Sequence, residues 1–123
     1  MIIVLNKRIP RYGVEIRRFV RWLNRKHPID AEILLKISKE PTLPEDLLLL
    51  HNDAGGDLEV FGLFDSESAT ILLPVGMLDC TLTLGHLAHE YCHALQFLSG
   101  RPFDEKAADV WGIRMLLEYE AGF

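Results

Sequence analysis

Apolar residues recur along this chain with two different periods, and the points where the period changes outline its elements. Met1 to Leu5 is a short apolar, β-branched run that reads as a strand. After Pro10 the period becomes helical: Ile16, Phe19, Val20 and Leu23 fall at i, i+3, i+4 and i+7. His27-Pro28 ends that helix, because the residue before a proline avoids the α region. Ala31 to Lys39 returns to strand character. EPTLPED is a proline-punctuated loop, LLLLH a short buried segment of either type, and NDAGGD a turn. EVFGLFD and ATILLPV, separated by SES, predict the two arms of a hairpin. Asp79 is placed to cap a helix from about Cys80 to Ser99, with Gly100 supplying the stop. Asp104 is placed to cap a final helix from Glu105 to about Glu120. No repeat, linker or low-complexity stretch interrupts this order, so residues 1–123 read as one α+β domain.

On a helical wheel the segment from Cys80 onward has two unlike sides. Leu84, Leu87, Ala88, Tyr91, Leu95 and Leu98 cluster on one, and His86, His89, Glu90, His93 and Phe97 on the other. The apolar side suffices to bury the helix, so the histidines are not needed as core residues. His89 and His93 are four apart, and their imidazoles project one turn apart from one face. Glu90 lies beside them. The spacing is H-E-x-x-H, whose mechanics are two zinc ligands and a general base. A catalytic zinc needs a third protein ligand and an open fourth position. Glu105, twelve residues after His93, becomes the candidate if the turn through Gly100 and Pro102 folds the last helix back. Asp109, one turn further, can accept the free N–H of a ligating histidine.

HEYCH followed by EKAAD resembles the gluzincin class of zinc metallopeptidases, over roughly residues 58–120, and in particular its minimal single-domain and phage- or regulator-associated members. The resemblance implies a zincin-like α+β fold: a small mixed sheet with an edge strand over the active-site helix, plus an N-terminal and a C-terminal helix. It implies one zinc per chain, held by His89, His93 and Glu105, with Asp109 orienting a histidine. Glu90 would take a proton from the attacking water and pass it to the leaving amine. Ala69, Thr70, Ile71, Leu72 and Leu73 would be the strand on which an extended peptide substrate pairs. Larger members carry an oxyanion-stabilising Tyr or His beyond the third ligand; here Tyr119 is available, with an amphipathic tyrosine near a helix end as the plainer reading. His86 lies too far along the helix to share the ion easily. Gln96 stands about 60° round from His93, either hydrogen-bonding near the site or simply polar helix surface. Gly112 is expected to let the last two helices pack closely.

Composition narrows the setting. The chain is 49% hydrophobic and 25% charged, as folded domains are. No apolar run approaches the roughly 20 residues that span a bilayer, and the first residues lack a signal peptide's basic start and cleavage site. Two cysteines, about 18 Å apart if they share a helix, make no disulfide framework. The expectation is a cytoplasmic protein with no membrane partner. The formal net charge is −5, yet Lys7, Arg8, Arg11, Arg17, Arg18, Arg21, Arg25 and Lys26 crowd the first 26 residues. That basic run reads as the solvated side of an amphipathic helix. With no helix-turn-helix following it, nucleic acid is an unlikely partner. The function expected is zinc-dependent peptide hydrolysis on a peptide or protein substrate. The alternative is a catalytically weak, zinc-stabilised regulatory or protein-binding module of the same fold.

Overall fold

A computed structural model describes residues 1–39, 62–76 and 79–122. Its strands are β1 (Ile2–Val4), β2 (Ile33–Ser38), β3 (Leu63–Asp65) and β4 (Thr70–Pro74); its helices are α1 (Gly13–Lys26), α2 (Cys80–Leu98) and α3 (Glu105–Ala121). These make a mixed α+β fold with a small mixed sheet. The loop, LLLLH and turn segments expected between Glu40 and Phe61 lie outside the described residues, as does the start of the EVFGLFD run.

The sheet order is β1-β2-β4-β3. β1 and β4 flank β2 in parallel, and β3 closes antiparallel on β4 with Phe64 opposite Ile71. The hairpin expectation holds, but β4 does not lie at an edge. Leu34 to Ser38 pair along one side of it and Leu63 to Asp65 along the other. The backbone of residues 70–73 is therefore not free to pair with a substrate, and Ala69 is a turn residue at φ 50°. The reason is visible in the chemistry of the strand: a nearly unbroken apolar run such as ILLPV suits an inner strand covered by neighbours. Among the described residues β3 is the edge strand, with no strand paired to its outer side. The opposite edge is blunted. Asn24 on α1 accepts from the Ile2 N–H at 2.8 Å and donates to the Ile2 carbonyl at 3.1 Å.

One core joins these layers. Ile16, Phe19, Val20 and Leu23 of α1 meet alternate sheet positions (Ile33, Leu35 and Ile37; Ile71 and Leu73) and Leu84, Leu87, Ala88 and Tyr91 of α2. Tyr91 is fully buried and donates its hydroxyl proton to the His27 carbonyl at 2.7 Å; burial pushes its pKa up to about 12. Leu98 is exposed, so the apolar side of α2 outruns the core at its last turn.

Both helix starts are set as the sequence indicates. Asp79 accepts from the Leu82 N–H at 2.8 Å and Asp104 from the Ala107 N–H at 3.0 Å. α2 ends at a left-handed glycine, Gly100 at φ 70°, with the Gly100 N–H on the Phe97 carbonyl and the Arg101 N–H on the Gln96 carbonyl. The chain then turns back, and α3 packs along α2. At Gly112 a Cβ would stand 3.2 Å from the His89 backbone nitrogen and 3.3 Å from the Gly85 carbonyl, so glycine sets how near the helices come. No described helix is long and apolar enough to cross a membrane.

Candidate metal centre

The close approach of α2 and α3 brings the first residue of one helix against the middle of the other. His89 Nε2 is 3.0 Å from Glu105 Oε2, and His93 Nε2 is 3.0 Å from Glu105 Oε1. The two Nε2 atoms are 3.1 Å apart. The second nitrogen of each ring is also engaged. His89 Nδ1 lies 2.8 Å from Asp109 Oδ1, and His93 Nδ1 lies 2.9 Å from Gln96 Oε1.

These outer contacts fix the tautomers. A carboxylate only accepts, so His89 carries its proton on Nδ1. The Gln96 amide could be turned either way in isolation, but its oxygen also receives the Asp104 N–H at 3.2 Å and its nitrogen donates to the Asp104 carbonyl at 3.2 Å. Its oxygen therefore faces His93, which must donate from Nδ1. Both Nε2 lone pairs then point at each other and at two carboxylate oxygens. With both rings neutral, four acceptor atoms converge there, a set that could hold a cation. Ligands about 2.0–2.1 Å from a tetrahedral zinc sit about 3.3 Å from one another, close to the separations here. Two imidazoles and a carboxylate are the donor set of catalytic zinc sites, and the residues fit that ion.

Glu90 joins the same group: one of its carboxylate oxygens and the two imidazole nitrogens lie within 4.8 Å of one another. Glu105 makes the direct contacts with both imidazoles, and Glu90 stands beside them. Glu90 is 4% exposed, and its Oε2 is buried without a hydrogen-bond partner. Burial, then the nearby charge of Glu105, push its pKa up to about 8; the Phe64 backbone amide works the other way. Gly62 makes room for it, since a Cβ there would meet Glu90 Cγ at 3.1 Å. Sequence reasoning passed over Gly62. The available signal was a glycine inside a strand-like run, which often marks a close approach.

Aromatic rings wall one side. Phe103 meets the His93 ring edge-on at 5.2 Å and Phe64 at 6.2 Å, while Phe97 lies 5.8 Å from Phe64. Phe97 and Phe103 remain exposed. His86 is half-buried one turn before His89, and burial lowers its pKa, with His89 as the second cause. Tyr119 is nowhere near the centre: its ring packs on Phe19 at 4.9 Å and Trp22 at 5.5 Å. The structure thus brings together His89, Glu90, His93, Glu105 and Asp109, adds Gln96 and Gly62, and leaves Ala69 to Leu73 in an inner strand and its turn. Compared with known proteins, this chain matches no family model and has no significant counterpart among curated proteins or solved structures.

Proposed function

We propose that this chain is a small zinc-dependent peptidase of gluzincin-like type, with a zincin-like arrangement of sheet and helices. One observation carries the reading. With both rings neutral, two imidazole lone pairs and the Glu105 carboxylate converge beside Glu90, which is buried with one carboxylate oxygen unpartnered.

A zinc ion bound there would supply Lewis acidity, polarising a peptide carbonyl and acidifying water. Glu90 accepts the proton from the attacking water and returns it to the amine that leaves. A carboxyl held above its ordinary range is matched to that exchange near neutral pH. Asp109 and Gln96 keep His89 and His93 in the tautomer that presents Nε2. The outer side of β3, next to Glu90, is the backbone on which an extended peptide would pair. Phe97 and Phe103 would receive an apolar side chain near the scissile bond. This moves the substrate strand from residues 69–73 to Leu63–Asp65.

The alternative, a zinc-stabilised binding module that does little hydrolysis, is favoured by the placement of Tyr119 in the aromatic core, away from any oxyanion. Metal content separates the readings from no site at all. Protein purified without added metal should carry about one zinc per chain, lost or much weakened in Glu105→Ala. Iron in place of zinc would point instead to the oxygen chemistry that two histidines and a carboxylate also support. With zinc established, Glu90→Gln should lower peptide cleavage at least about a hundredfold while zinc stays bound. Zinc without any cleavage by the parent protein would leave the module.

A further inference from the structure

The sequence leaves Gln96 open between a hydrogen bond and mere helix polarity, and the structure buries it: the side chain is 9% exposed. A buried amide must find partners, since an unsatisfied one costs about 1–3 kcal/mol. Gln96 finds them on two sides. Side chains on a helix lean toward its N-terminus, so Gln96 lies over the turn that holds His93, three residues earlier. Its oxygen takes the His93 Nδ1 proton at 2.9 Å. The same amide grips both backbone groups of Asp104, the residue directly before Glu105, at 3.2 Å each. The backbone carbonyl of Gln96 accepts the Arg101 N–H at 2.9 Å. One residue therefore holds a ligand on α2, the returning turn, and the start of the helix that supplies the third ligand.

We propose that Gln96 is a positioning residue that builds the metal centre from both helices at once. It sets the tautomer of His93 and the register of Glu105 in a single hydrogen-bonded clamp. The idea rests on the metal-centre reading for its consequence in affinity, but the clamp itself is a property of the metal-free chain. Asp109 performs the tautomer task for His89 alone, from the far helix. Gln96 does so for His93 from the same helix and spends its remaining capacity on the turn. A leucine there would fill the volume and remove every side-chain bond. A glutamate would keep the two acceptor bonds and lose the donation to the Asp104 carbonyl.

The test compares the parent protein with Gln96→Leu, Gln96→Glu and Asp79→Ala. Asp79→Ala removes a helix cap far from the centre and controls for a general loss of stability. Zinc affinity is read by chelator competition, and the His93 tautomer by imidazole 15N shifts of metal-free protein. Gln96→Leu should weaken zinc about ten- to a hundredfold and release His93 from the Nδ1–H form, leaving His89 unchanged. Gln96→Glu should keep the tautomer and lose less affinity. Asp79→Ala should lower the melting temperature without moving either readout. Should Gln96→Leu not fold, Gln96→Glu must still lose affinity relative to the parent. Unchanged affinity or an unchanged His93 tautomer in Gln96→Leu would overturn the proposal. If the parent takes up no zinc, the metal centre fails, while the tautomer measurement still decides whether the clamp exists.

Discussion

Helices α1 and α2 share a core and treat their polar residues in opposite ways. In α1, Ile16, Phe19, Val20 and Leu23 are buried, and Arg18, Arg21 and Arg25 stand in solvent. In α2 Leu84, Leu87, Ala88 and Tyr91 are likewise buried, yet Glu90, His93 and Gln96 on other faces are also taken out of water. The first helix obeys amphipathic patterning and needs no further account. The second buries a carboxyl with one oxygen unpartnered, although removing such a group from water without a partner is costly. A fold that needed only α2's apolar face would not do this. Buried polarity that the packing does not require separates the two helices more sharply than hydrophobicity does.

The largest effect expected from this contrast is in the pH dependence of stability. Burial raises the Glu90 pKa from 4.5 to about 8. Between those values the folded, metal-free protein holds a proton that the unfolded chain has released. Stability must therefore fall as pH rises from about 4.5 to 8, with no contribution below that window and the full cost above it. Burial lowers His27 and His86, and those groups act in the other direction as pH falls, so a difference measurement is required. Urea unfolding of the metal-free protein should show Glu90→Gln gaining on the parent across pH 5–8. The gain is several kcal/mol at most, at about 1.4 kcal/mol per unit of pKa. A pH-independent difference would mean that Glu90 is solvated in solution, and the contrast between the helices would collapse.

What could be read in advance, and what could not, follows the range of the interactions. H-E-x-x-H, the carboxylates at Glu105 and Asp109 and the two aspartate caps are local patterns, and their spacing puts them on the right faces. The strand order is not local. The apolar run in ATILLPV suits an inner strand, but nothing within it names β2 as the neighbour; that pairing was decided over more than thirty residues of separation. Gln96 was seen without its role, because its partner Asp104 becomes a neighbour only once the turn has closed. Gly62 was missed for the same reason: the Glu90 side chain it accommodates comes from another element.

Next in size is the contact between α2 and α3. Gly112→Ala places a methyl 3.2–3.4 Å from the backbone of His89 and Gly85, where only helix movement can relieve the crowding. We expect about 1–3 kcal/mol of destabilisation, seen as a lower melting temperature, although alanine favours the helix intrinsically. Because Glu105 and Asp109 ride on the displaced helix, zinc affinity should drop as well. Stability lost without affinity would show that the ligands adjust independently of helix separation. An unchanged melting temperature would show that the helices have room to spare.

The smallest effect belongs to the polar side of α1, and its smallness is what the comparison requires. Among the described ion pairs, none involves Arg18, Arg21 or Arg25. Arg17, one residue away, is different: it donates to the Asn6 carbonyl at 2.8 Å and should be left in place. Replacing the three exposed arginines with glutamine should change unfolding free energy by less than about 0.5 kcal/mol per site and leave zinc affinity as it was. A large loss of stability would mean that these side chains cover apolar surface with their stems. Salt-dependent binding of the parent to DNA, abolished in the triple variant, would assign α1 a partner of its own. In either case the polar side of α1 would cease to be the inert reference against which α2 stands out.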